Sequence, residues 1–273
     1  MESMIPLVTY ASVAVFVVAV IARFLRIKKL PMNVRWELYP VPHEGERSEH
    51  GGSRAEETDW WEKEHTPDKA RELKHMLQEM VFIKALREHN PKLWRFSFPF
   101  HFGLYMTAGF AALIVLLGVL DIAGVALPSA VGSLAIALGV SGMGLSALGG
   151  LGLLWMRITD EDMKPYTTTA HIFNLVVIVC TLGIFLYGMY VSAWDVAPYT
   201  AYAAGLMRGD LAAAPAEPLV GYSIILASVL LAYIPLTHMS HFFVKWFTWH
   251  QIRWDDEPNV RGGNIEKMIE KAL

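Results

Sequence analysis

Cysteine is almost missing from this chain. Cys180 is the only one in 273 residues, and it sits in an apolar run. A single thiol excludes an internal disulfide. It also excludes an iron–sulfur cluster held by this chain alone, since such clusters take several cysteine thiolates. No CxxCH stretch occurs, so a covalently attached c-type haem is not expected. No Gly-rich nucleotide loop or flavin motif is present. Charge is scarce as well: 18% of residues are charged, against about 25% in an ordinary soluble domain. The net charge of -3 gives no basis for binding nucleic acid.

What is abundant is apolar sequence, at 54% of residues. A membrane-spanning helix needs roughly 20 mostly apolar residues. Five stretches qualify: Ile5 to Leu25, Phe98 to Leu120, Leu127 to Met156, Thr169 to Ala193 and Leu219 to Phe247. The first is not patterned as a signal peptide. No Lys or Arg precedes it, whereas Arg23, Arg26, Lys28 and Lys29 follow it, the reverse of a signal peptide's charge order. It reads as a retained helix.

Cytoplasmic loops of membrane proteins carry the excess of Lys and Arg. Of 23 such residues, fifteen lie between Arg23 and Arg95, two between spans three and four, and five from Lys245 onward. Only Arg208 falls on the opposite side. The expected fold is therefore an all-α membrane protein, a bundle of five transmembrane helices with the N-terminus outside and the C-terminus cytoplasmic. Its parts are transmembrane helix one (1–27), a cytoplasmic segment (28–96), a four-helix membrane bundle (97–247) and a cytoplasmic tail (248–273).

The cytoplasmic segment opens with the Pro-punctuated run Arg35 to Pro42. Glu44 to Asp59 reads as a flexible polar loop. Thr66-Pro67-Asp68 then reads as N-cap, first helical proline and first-turn acid. Leu73, Met76, Leu77, Met80, Val81 and Leu86 follow at helical spacing. This amphipathic helix should end near Asn90-Pro91 and either lie on the membrane surface or dock a soluble partner. On the other side, 194–218 should hold a short interfacial helix, with Trp194 in the aromatic belt. Span three carries Gly132, Gly139, Gly142, Gly144, Gly149, Gly150 and Gly152. Small residues there allow close helix packing; the alternative is a flat face for a planar cofactor.

Four of the ten histidines, His101, His171, His238 and His241, lie inside apolar stretches. Ionisable groups in such places are expensive and mark function. The topology puts all four in the cytoplasmic half. His238 and His241, at i and i+3, share a face of span five. Pro235 should kink that span. Two histidines on facing helices can hold haem iron axially with no cysteine. Zinc is possible on ligand type, but no carboxylate stands nearby in the apolar sequence. Arg157, Asp160 and Lys164 join His171 and His238 as proton-handling candidates, each reading more simply as an interface anchor. His43, His50, His65, His75, His89 and His250 read as surface residues.

Phe100-His101-Phe102-Gly103-Leu104, Thr167-Thr168-Thr169 and Pro235 followed by His241 resemble motifs of the gamma subunit of respiratory nitrate reductases, a di-haem b-type cytochrome. The Arg35-to-Glu44 run and Phe96 to His101 are more similar to cytochrome b subunits of the Tmc, Hmc and Dsr membrane redox complexes of sulfate-reducing bacteria. The resemblance implies that His101 and His241 are the axial pair of a cytoplasm-proximal haem b. The family's outer haem would need ligands at Ala111 and Ser223, and neither can bind iron. His171 and His238 would serve a second haem or a quinone site, and one haem is the expectation. The implied role is an electron-transfer subunit of a quinone-linked oxidoreductase in the inner membrane. Electrons would pass between menaquinone or another quinone and a cytoplasmic iron–sulfur subunit like heterodisulfide reductase. A periplasmic multihaem cytochrome c could dock on the 194–218 side. The competing readings are a non-redox anchor or assembly subunit and, further off, a divalent-metal transporter.

Overall fold

The computed structural model describes residues 4–35, 41–47, 53–125 and 128–273. Trp36 to Pro40 of the Pro-punctuated run, His50, and Leu127 at the expected start of span three lie outside these residues. Among the described residues the chain is all helical, with no strand. Five helices are long and apolar enough to cross a membrane, so this is a multi-pass membrane protein. They are α1 (Met4–Lys28), α4 (Pro91–Ile122), α5 (Ser129–Thr159), α6 (Thr169–Val191) and the stretch Pro218–Leu236, which contains α8 (Pro218–Tyr233). Shorter helices are α2 (Lys69–Phe82), α3 (Lys84–His89), α7 (Ala197–Met207), α9 (His241–Phe247) and α10 (Asn264–Ala272).

The chain divides into two compact units, Met1–Val15 with Val81–Tyr233, and Phe16–Met80 with Ile234–Leu273. In the first unit α4 packs along α5, α5 along α6, and α6 along α8, while α7 lies against α4. Asn90 starts α4 by accepting from the Leu93 amide, with Pro91 at the first helical position. α4 thus begins several residues before the expected Phe98. Glycine decides how closely α4 and α5 approach. A Cβ on Gly149 would stand 2.5 Å from the Phe100 amide nitrogen, and one on Gly142 would stand 2.7 Å from that of Thr107. One on Gly152 would overlap the Phe96 ring. These glycines serve helix packing rather than a cofactor face. At Gly118 α4 meets Ala203, Ala204 and Met207 of α7. So α7 buries Tyr199, Tyr202 and Ala204 and is more than an interfacial helix.

The second unit surrounds a small core of Val41, Met76, Trp249 and Trp254. Trp249 and Trp254 stack with their planes only 7° apart. The C-terminal tail is built into this unit rather than trailing from the bundle, and the Gln251 carbonyl accepts from the Val34 amide at 3.0 Å. Where a flexible loop was expected after Glu44, the described part is pinned. Arg35 donates to Glu44 at 2.7 Å and to Ser53 at 2.8 Å, and Ser53 donates to the same carboxylate.

Two details of the amphipathic helix differ from expectation. Asp68, not Thr66, is the cap, accepting from the Arg71 amide at 3.0 Å; a carboxylate one residue before the helix reaches that donor where Thr66 is too far back. The helix also breaks at Ile83, which is left-handed at φ 50, so α2 and α3 are separate. More consequential is which face is covered. Glu72, Met76 and Glu79 are buried, while Leu73, Leu77, Met80 and Phe82 are exposed. Leu73, Leu77 and Met80 of the apolar stripe are thus exposed, while Met76 is turned into the core.

Candidate functional site

Span five ends earlier than its apolar sequence suggests. Pro235 has no N–H to give Leu231, and the result is a full break rather than a kink. α8 stops at Tyr233, two one-turn 3-10 helices follow (Ile234–Leu236 and His238–Ser240), and α9 begins at His241. His238 and His241 therefore lie beyond the membrane-crossing stretch, on consecutive short elements and not on one face of a continuous α-helix. The broken end leaves carbonyls to satisfy. Arg23, on α1, does this by donating to the carbonyls of Leu236 and Thr237, each at 2.9 Å, and to Ser240 Oγ at 2.6 Å. In the sequence Arg23 counted only toward the charge asymmetry. Here it fixes the turn that carries both histidines.

His101 is half-buried on α4. Its Nδ1 lies 2.8 Å from the Ser97 carbonyl oxygen. A carbonyl only accepts, so Nδ1 carries the proton and Nε2 the lone pair. Orientation of this kind is usual for metal-bound imidazoles. The His241 ring likewise hydrogen-bonds to the backbone of His238. Each member of the expected pair is thus held by the backbone one turn upstream, as imidazole ligands commonly are. They belong to different compact units.

His171 has a different job. Thr168 caps α6, and the His171 ring returns the bond: its Nδ1 accepts from the Thr168 amide at 3.2 Å. Arg157 Nη1 also faces that nitrogen, at 3.4 Å. Both partners donate, so Nδ1 supplies the lone pair and Nε2 carries the proton. In that form the ring offers a hydrogen-bond donor, which suits a quinone carbonyl better than iron. Asp160 and Lys164 act as anchors. Asp160 accepts from the Asp162 and Met163 amides and pairs with Lys92, and Lys164 pairs with Glu161 at 2.6 Å.

The positions of an outer haem do not fit one. Ser223 is completely buried and donates to the Val220 carbonyl at 2.7 Å. It packs beside Gly188 and Tyr199, and the Tyr199 ring in turn stacks on Phe185, 5.2 Å between centroids, with Phe110 edge-on. Ala111 faces outward on α4. That volume is filled by side chains.

Three surface readings are corrected in the second unit. His43 is buried, at 6% exposure, and hydrogen-bonds through Nε2 to Asp256, whose other oxygen takes a bond from Arg35. His65 Nδ1 lies 3.9 Å from the same Asp256 oxygen as His43. His250 bonds Glu72 at 2.8 Å. These rings sit in polar sequence, so no apolar run singles them out. His43 and His65 meet Asp256, and His250 meets Glu72, only because the tail folds back onto this unit. Burial alone would raise the Asp256 carboxyl, but the His43 hydrogen bond and the charges of His43, Arg35 and His65 outweigh it and hold it below the usual range. His65 is pushed down, first by burial and then by the Arg54 charge.

No protein-family model matches the chain, and no curated protein matches it either.

Proposed function

We propose that this chain is a b-type cytochrome membrane subunit of a multi-subunit respiratory complex. It would move electrons between membrane menaquinone or another quinone and a cytoplasmic iron–sulfur partner. His101 and His241 would hold one haem b, which supplies one-electron chemistry when bound. The observation that supports the reading is the His101–Ser97 bond at 2.8 Å, which puts the proton on Nδ1 and makes Nε2 the lone-pair nitrogen of the ring. The filled volume around Ser223 favours one haem over two.

On this reading the charge asymmetry puts the N-terminus outside and the C-terminus in the cytoplasm, with His101, His171, His238 and His241 toward the cytoplasmic side. The outward apolar face of α2, with Leu73, Leu77 and Met80, gives that side a surface for lipid or for the partner subunit. His171, with its Nδ1 held by the α6 cap, would be the hydrogen-bond donor to a quinone carbonyl. Arg157 beside it keeps the ring in that tautomer.

A pyridine haemochrome assay with an iron count on the purified protein tests the reading. About one haem b per chain is expected, lost in His101→Ala and in His241→Ala. A protein without haem would be an anchor or assembly subunit or a metal transporter, and the reading would fail.

A further inference from the structure

The second unit contains a cluster that electron transfer does not use. His43, His65 and Asp256 each place one ligand atom within 4.8 Å of the other two. The three come from separate stretches: a one-turn helix at Pro42–Glu44, the segment before α2, and the tail after Trp254. His43 Nε2 and His65 Nδ1 both point to Asp256 Oδ2. For His65 the gap of 3.9 Å is too long for a hydrogen bond. Two ligand atoms around an ion with bonds near 2.0 Å stand about 3.3 Å apart; the His65 pair is wider than that and the hydrogen-bonded His43 pair is closer, so an ion would draw in the first and open the second. The other nitrogen of His65, Nε2, is buried with no partner. On this half-buried ring, a buried nitrogen without a partner is costly, and an ion drawing the ring inward would offset that cost.

The surroundings are those of a ligand set. Arg35 grips the second oxygen of Asp256 and also the buried Glu44 carboxylate, so the aspartate is fixed from behind as ligating carboxylates usually are. With neutral imidazoles, the carboxylates of Asp256 and Glu44 are balanced by the guanidiniums of Arg35 and Arg54, so no net positive charge opposes a dication. His65 also lines a cleft of about 230 Å³ whose three acids, Glu44, Glu57 and Glu64, are matched by Arg47, Arg54 and Lys63, which gives a hydrated ion a way in.

We propose that His43, His65 and Asp256 form a binding site for a divalent metal ion of the zinc class, with water as the fourth ligand, tying the C-terminal tail to the 41–66 segment. Two imidazoles and one carboxylate suit a borderline first-row ion and not calcium or magnesium, which prefer oxygen. The site is independent of the haem reading.

Full-length protein in detergent, stripped with chelator and reloaded with Zn2+ alone, is desalted and its zinc and haem iron are counted separately. About one zinc per chain is expected, with affinity falling more than about tenfold in His65→Ala and in Asp256→Asn. Zinc loading should also protect the C-terminal tail of the unaltered protein from limited proteolysis, a readout that needs no variant to fold. Wild-type protein that retains no zinc, variants that bind it as tightly, or a tail equally sensitive with and without zinc would each overturn the proposal.

Discussion

The Nδ1 of His101 donates to the carbonyl of Ser97 at 2.8 Å, one turn earlier on the same helix. Because the acceptor is backbone, no side-chain substitution at Ser97 removes it. The ring orientation therefore survives Ser97→Ala, which deletes only the Oγ contact at 3.3 Å. On the proposed haem assignment, haem content and the reduced b-band position should match wild type in Ser97→Ala and be lost in His101→Ala. Visible spectra of the two purified variants make the comparison.

His171 gives the contrasting case. Its ring closes the α6 capping box with Thr168, so its loss should act on the helix start. His171→Ala and Thr168→Ala should each destabilise the protein by about 1 kcal/mol, the usual worth of an N-cap. Both should retain haem stoichiometry. Chemical denaturation and haem quantification on the same samples separate the structural effect from a ligand effect. Loss of haem in His171→Ala alone would make it an iron ligand.

Arg23 should matter more than an interface charge does. Its guanidinium satisfies two carbonyls exposed by the break at Pro235 and also holds Ser240. Hydrogen bonds from charged groups to otherwise unsatisfied acceptors are worth about 1.5–3 kcal/mol. Arg23→Ala should lower thermal stability on that scale and, on the proposed haem assignment, broaden the haem bands, because the turn bearing His241 loosens. Arg23→Lys should recover only part of this, since one ammonium cannot span the three acceptors.

The membrane helices were legible because they are stated in composition. Five apolar runs and the position of the Lys and Arg residues do not depend on tertiary contacts. The break at Pro235 was legible as a location but not in degree, since Arg23 supports it from α1, more than two hundred residues away. His43 and His65 were unreadable for a related reason. Their partner Asp256 lies in the tail, and nothing local marks polar residues that meet only on folding. The α2 helix was read correctly as amphipathic, yet its buried side is the one with Glu72 and Glu79, because His250 supplies Glu72 with a partner that hydropathy cannot foresee.

Packing of α4 on α5 can be tested at glycines that look alike in sequence. Gly149→Ala would push a methyl into the Phe100 backbone at 2.5 Å, whereas Gly144 has nothing within 4 Å. The first substitution should cost about 1–3 kcal/mol through forced separation of the helices. Gly144→Ala should be neutral or slightly stabilising, as helix propensity favours alanine. Unfolding in mixed detergent micelles would rank them, and equal effects would mean the close approach is wrong.

Acid should loosen the second unit through Glu72. Burial raises this carboxyl, but the hydrogen bond from His250 and the charge and hydrogen bond of Lys69 outweigh it, leaving it below its ordinary value of 4.5. As pH falls, the unfolded chain therefore takes up a proton at this position before the folded chain does, and stability declines where the unfolded state binds more protons. The contribution is fully present above about pH 4.5 and is lost as pH drops through the lower folded value. Asp256 shifts in the same direction, so acid sensitivity of the wild type alone cannot be assigned to either. Glu72→Gln removes only the first. The stability difference between wild type and Glu72→Gln should stay constant above about pH 5 and shrink steadily as pH falls below the ordinary carboxylate range, read from denaturant midpoints across the series. A gap that stays constant into acid would mean that the Glu72–His250 contact does not hold the carboxylate in its charged form.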